Sequence, residues 1–238
     1  MEKNLKGLGF AAMVFGFALC IGTPVKAESF SIDTVDGDWA NAVPTSVTIV
    51  NSGDDGGLST ARWGVPATNA GQSGYDFLSA TTPFNVVSDG TAFSLGTFTH
   101  YNWPVYEPSL DTIDLSFSLE DLGIFGVSAT FNFNHTETPN TTGGTGDNDI
   151  ITLTNPVLNQ LFTYDSKNYY FNLFGFSQNG GATLTTMFST VEGQANVATL
   201  YGRITEAPVN PVPEPTTMLL FGTGLAGLAG VARRKKKA

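Results

Sequence analysis

The 238-residue chain has one cysteine, Cys20, and two histidines, His100 and His135. Cys20 lies within the apolar run Leu8 to Ile21, which follows Lys3 and Lys6 and leads to Val25-Lys26-Ala27, with small residues three and one positions before the expected cut. Residues 1–27 therefore read as a signal peptide for the Sec export machinery. The exported remainder holds no thiol, which excludes disulfides, thiolate nucleophiles and cysteine metal sites. Leu19 is too large for the residue that precedes a lipidated cysteine. Two imidazoles 35 residues apart give little basis for a transition-metal site.

Positive charge is equally scarce. Residues 28–212 carry only Arg62, Lys167 and Arg203 against 19 Asp and Glu, a formal charge of −16. Such a surface releases no counterions from phosphate, so nucleic acid is excluded as a partner. It suits an extracellular protein kept soluble by acidic groups, with multivalent cations and neutral sugars as the remaining partner classes. No Gly-x-Ser-x-Gly elbow is present. An acid/base pair for glycan cleavage can be drawn from Asp111, Asp114, Glu120 or Glu137, but spacing alone does not set two carboxylates across a cleft.

Beyond the signal peptide there is one long apolar run, the 17 residues from Thr216 to Ala232. As a helix it would measure about 25 Å, a little short of a hydrocarbon core of about 30 Å. It is preceded by Pro213-Glu214-Pro215 and followed by Arg233-Arg234-Lys235-Lys236-Lys237. A basic end resists translocation, which predicts one short membrane span with a cytoplasmic C-terminus and the domain outside. The tripeptide, the short Gly/Leu/Ala-rich segment and the basic end together resemble the PEP-CTERM sorting signal of exopolysaccharide-producing Gram-negative bacteria. That resemblance, over residues 213–238, implies that an exosortase recognises the tripeptide, removes the helix and passes the domain to the cell surface. A permanent single-span anchor is the alternative.

Between the two signals the pattern is that of β-structure. Ile113 to Leu119 and Val127 to Phe133 alternate apolar and polar residues and are expected to pair. Further strands are expected at Ser46–Val50, Thr91–Thr99, Ile150–Thr154, Tyr169–Phe174, Ala182–Phe188 and Ala198–Thr205. Gly, Asn, Asp, Ser and Pro crowd the spacers, and no amphipathic helix stands out. An all-β, antiparallel β-sandwich of jelly-roll type is expected over residues 28–205, with a Pro-rich linker at 206–212.

The most distinctive segment of this domain is Leu95-Gly-Thr-Phe-Thr-His-Tyr-Asn-Trp-Pro-Val105. If Phe93 to Asn102 is extended, Phe98, His100 and Asn102 share one face and Thr97, Thr99, Tyr101 and Trp103 the other, with Pro104 ending the strand. Thr99-His100-Tyr101-Asn102, with Gly96, Phe98 and Pro104 around it, resembles the Thr-His-x-Asn (THxN) signature of a subset of PEP-CTERM proteins. It is also similar to the choice-of-anchor K domain, more loosely from Trp63-Gly64 to Ile113. The resemblance implies surface display and assigns no chemistry.

Two roles suit the segment. His100 and Asn102 can hold the backbone where the chain leaves the strand, or Tyr101, Trp103 and Tyr106 can stack against sugar rings. Calcium is a candidate ligand of Asp147-Asn148-Asp149, and Asp54-Asp55 offers a similar Gly-flanked loop. The sequence thus points to a non-enzymatic, exported surface or matrix protein, structural or adhesive within an exopolysaccharide or biofilm matrix. A carbohydrate-binding module and a secreted glycan-processing enzyme are the alternatives.

Overall fold

Strict alternation between buried and exposed residues builds the domain. The computed structural model describes residues 27–53, 56–121, 125–138 and 148–208, with 220, 221, 223 and 224. In strand β10 (Thr112–Asp121), Ile113, Leu115, Phe117 and Leu119 are buried, and in β11 (Phe125–Thr136), Val127, Ala129, Phe131 and Phe133 are buried. The two strands form the expected antiparallel pair, with Ile113 opposite Phe133 and Leu119 opposite Val127.

Two antiparallel sheets carry most of the chain, curled into a half-barrel. The smaller joins β2 (Thr34–Val43), β10, β11, β12 (Asp149–Leu153) and β15 (Met187–Thr190), in the order β15-β12-β11-β10-β2. The larger joins β3 (Thr48–Val50), β4 (Leu58–Trp63), β6 (Ser73–Ser79), β8 (Phe93–Asn102), β13 (Gln160–Tyr164), β14 (Lys167–Ser177) and β16 (Gln194–Glu206), in the order β13-β14-β16-β8-β6-β4-β3. Two ribbons complete the fold: β1 (Ser29–Ile32) with β7 (Phe84–Val87), and β5 (Val65–Pro66) with β9 (Val105–Tyr106).

The all-β, sandwich-like expectation holds, but the connectivity is not that of a jelly roll. The runs β3-β4-β6-β8 and β10-β11-β12 are meanders whose successive strands lie side by side, whereas a jelly roll passes most of its strands from sheet to sheet. Of the expected strands, Ala182–Phe188 is realised only at its end, as Met187–Thr190. β16 extends through Glu206, and Ala207 is buried with its N–H bonded to the Asn168 carbonyl at 2.8 Å, so the domain runs into the stretch read as linker.

Aromatic rings fill the space between the sheets. Phe77 meets Phe117 edge to face at 5.1 Å, and Phe131 meets Phe171 at 6.0 Å. Gly37 of β2 and Gly96 of β8 make room for the Phe77 ring, since a Cβ at either position would overlap it. Trp39 Nε1 donates across the sheets to the Ser59 carbonyl at 3.1 Å. In the tail, the described positions 220, 221, 223 and 224 are helical, and among the described residues no helix is long and apolar enough to cross a membrane. Pro213, Glu214 and Pro215 lie outside the described residues, as do Asp54, Asp55 and Asp147.

Candidate functional site

β8 is extended from Phe93 to Asn102, and its two faces divide the distinctive segment as alternation requires. Phe98, His100 and Asn102 are fully buried, while Thr97, Thr99 and Tyr101 are half-buried on the other face. His100 sits opposite Tyr75 of β6 on one side and Asn196 of β16 on the other. Its side chain crosses to the facing sheet.

There it meets residues of β11, β12 and β15. His135 continues the inward alternation of β11, Asp149 opens the inward alternation of β12, and Thr190 lies opposite Asp149 on β15. The His100 and His135 rings are 5.2 Å apart, and Trp63 stacks on His100 at 5.8 Å. The 35-residue gap that argued against a shared histidine site is closed by the packing of the two sheets.

The hydrogen bonds fix much of the protonation. Thr190 Oγ1 donates to the Asp149 carbonyl at 3.3 Å and lies 2.9 Å from His100 Nδ1. A hydroxyl has one proton to give, so in this arrangement it accepts from His100 Nδ1–H, which leaves Nε2 with a lone pair. Asn102 Nδ2 donates to the Thr190 carbonyl at 3.2 Å. His100 and Asn102 thus tie β8 to the end of β15 rather than holding the bend at Pro104. His135 Nδ1 lies 2.5 Å from the Tyr75 hydroxyl, while its Nε2 lies 3.4 Å from Glu137 Oε2 and 3.7 Å from Asp149 Oδ2. Asp149 Oδ1 accepts the Thr138 N–H at 2.9 Å.

Burial displaces the titration of this cluster. It holds His100 well below the usual imidazole range, helped by the charge His135 can carry. It pushes Asp149 up to about 6, with Glu137 adding to the rise and the Thr138 N–H opposing it. Tyr75 is raised well above the ordinary phenol by burial, then by the carboxylates of Asp149 and Glu137. Four buried atoms here have no hydrogen-bond partner among the described residues: Trp63 Nε1, His100 Nε2, Asn102 Oδ1 and Asp149 Oδ2.

The outer face carries the aromatic residues. Tyr101 and Trp103 lie 6.5 Å apart with planes inclined at 34°, and the Arg62 guanidinium sits 5.0 Å over the Tyr101 ring. Arg62 is held by Asp76 at 2.6 Å. Beyond Pro104, whose carbonyl accepts the Ala67 N–H at 3.0 Å, Tyr106 projects from β9 with 66% of its surface exposed. Tyr101 and Trp103 therefore form no single site with His100 and Asn102.

The remaining candidates disperse. Asp149 is buried at the start of β12 and Asn148 donates to Ser189 Oγ at 3.3 Å, while Asp147, the first residue of that stretch, lies outside the described residues. Asp114 accepts from Asn41 at 2.8 Å and from Asn132 at 2.5 Å. Glu120 shares its face of β10, six residues along and thus about 20 Å away, beyond the separation of a glycosidase pair. Asp111 is exposed. Of the four carboxylates proposed for catalysis only Glu137 reaches the histidine cluster.

Comparison with known proteins bears on the tail. Residues 211–236 match the family described as the PEP-CTERM protein-sorting motif. The chain carries an exosortase sorting signal. The PEP-CTERM motif implies export, a precursor anchored in the membrane through its C-terminus, exosortase as the processing partner and subsequent release to the surface. No curated protein matches the chain.

Proposed function

We propose that the processed domain is a non-enzymatic structural or adhesive component of the cell surface or of an exopolysaccharide matrix. The observation that carries this reading is the PEP-CTERM motif at residues 211–236 attached to an all-β, strongly acidic domain. In the precursor the basic end stays in the cytoplasm and the domain lies outside. The Thr99-His100-Tyr101-Asn102 sequence supports membership of the THxN subset and of the choice-of-anchor K type. In an exosortase-positive host, wild-type protein is expected in the polysaccharide fraction and Glu214→Ala as an uncleaved precursor in the membrane, with loss of cell aggregation. Normal maturation of Glu214→Ala, or aggregation unaffected by trapping the precursor, would overturn this account.

A second reading, a carbohydrate-binding module, draws on the outer face. Tyr101, Trp103 and Tyr106 lie close together in sequence around the β8–β9 turn, two of them side by side and the third largely exposed. Stacking on sugar rings uses such surfaces. Trp103→Ala is expected to abolish saturable retention on the host's polysaccharide, measured by co-sedimentation. Undiminished retention would remove this reading.

A further inference from the structure

The buried cluster between the sheets has a surplus of acceptors aimed inward. Among the described residues His100 Nε2 presents a lone pair with no hydrogen-bond partner, and Asp149 Oδ2 makes no hydrogen bond, its nearest polar neighbour being His135 Nε2 at 3.7 Å. His135 Nε2 points at two carboxylates. Leaving such atoms dry and unpaired is costly, and an apolar filling would be more stable than a half-satisfied polar one. A cation bound to these atoms removes the difficulty.

The distances suit one ion. Ligand atoms of His100, His135 and Asp149 all lie within 4.8 Å of one another, and all three residues are buried. Two ligands about 2.1 Å from a common ion and set at a tetrahedral angle lie about 3.4 Å apart. The His135–Glu137 separation of 3.4 Å and the His135–Asp149 separation of 3.7 Å fall at that spacing. The widest separation within the His100–His135–Asp149 set, at most 4.8 Å, exceeds the tetrahedral spacing by about 1.4 Å, which two side chains moving toward each other by about 0.7 Å each would close. Glu137, Asp149 and Glu192 form a second close set that shares Asp149, which places further carboxylate at the rim.

The surrounding bonds orient the rings as metal ligation needs. Thr190 Oγ1 takes the Nδ1 proton of His100, and the Tyr75 oxygen can take that of His135 once its Nε2 binds the ion. We propose that His100 Nε2, His135 Nε2 and Asp149 Oδ2, joined by Glu137 from the rim, bind one divalent transition-metal ion of the zinc type between the two sheets. Two imidazole nitrogens select such an ion over calcium, which prefers six to eight oxygens. Two neutral imidazoles and two carboxylates also balance its double charge.

The test uses the full-length chain without a polyhistidine tag, purified in detergent, stripped with chelator and dialysed against Zn²⁺, Co²⁺ or Ca²⁺. One zinc per chain is expected, with visible absorption from the cobalt form, a raised melting temperature and no response to calcium. His100→Gln and His135→Gln should each lose the bound metal, and Trp103→Ala should keep it. Should the glutamine variants fail to fold by circular dichroism, X-ray absorption of the zinc-loaded wild type decides, with two imidazoles expected in the first coordination sphere. Failure to retain metal would overturn the proposal and leave a hydrated polar cluster. An all-oxygen shell, or unchanged binding by a folded histidine variant, would also overturn it.

Discussion

At one end of the space between the sheets Phe77, Phe117, Phe131 and Phe171 meet edge to face; at the other, His100, His135, Asp149 and Tyr75 face one another. The same strands supply both ends: β6 gives Phe77 and Tyr75, and β11 gives Phe131 and His135. A ring in the aromatic end needs only the right volume and a Cβ-free neighbour such as Gly37. Each polar side chain in the other end needs a partner at a fixed angle, and four atoms lack one among the described residues. Stability alone explains the first arrangement and argues against the second, which marks the polar end as the place where the fold gives up stability for something else.

Three substitutions put that contrast to the test. Phe117→Ala should cost about 3–5 kcal/mol in denaturant unfolding, because it opens a cavity beside Phe77 and Phe131 that strands cannot close. The loss should be the same with and without chelator. Thr190→Val keeps the volume but leaves His100 Nδ1–H without an acceptor, so it should cost about 1–3 kcal/mol. A negligible loss there would mean that the polar end is less tightly specified than its geometry implies. Trp103→Ala, on the outer face, should change stability by no more than about 0.5 kcal/mol. A larger loss would show that the outer aromatic pair belongs to the structural core rather than to a display surface.

Much of this division was readable in the sequence, because a two-residue period fixes which side chains share a face. The pairing of β10 with β11 and the split between His100/Asn102 and Tyr101/Trp103 both follow from it. The reading stopped short at two strand ends. Carrying the alternation of Val127–Phe133 two residues further puts His135 inside, and starting β12 at Asp149 instead of Ile150 buries that carboxylate. What alternation cannot supply is which inward residues meet. That depends on β8 pairing with β16 across about 100 residues of chain and on the stacking of one sheet against the other. β2 escaped notice for another reason. Asp36-Gly37-Asp38 has the composition of a turn, yet Gly37 is there to admit the Phe77 ring.

The course of β16 has a mechanical consequence. It begins at Gln194, beside Asn102, and ends at Glu206, where the chain leaves toward the sorting tail. Thirteen extended residues cover about 40 Å. The N-terminal end of the domain is also at the far pole from Asn102: Lys167 reaches Glu28 at 3.6 Å, and Tyr169 lies opposite Glu206. Entry and exit of the chain therefore share one pole, where a pull on the C-terminal tail of the anchored precursor would load antiparallel strands lengthwise. Trp103 and Tyr106 follow Asn102 at the opposite pole, about 40 Å from the point where the chain leaves toward the sorting tail, and the two buried histidines pack just inside it.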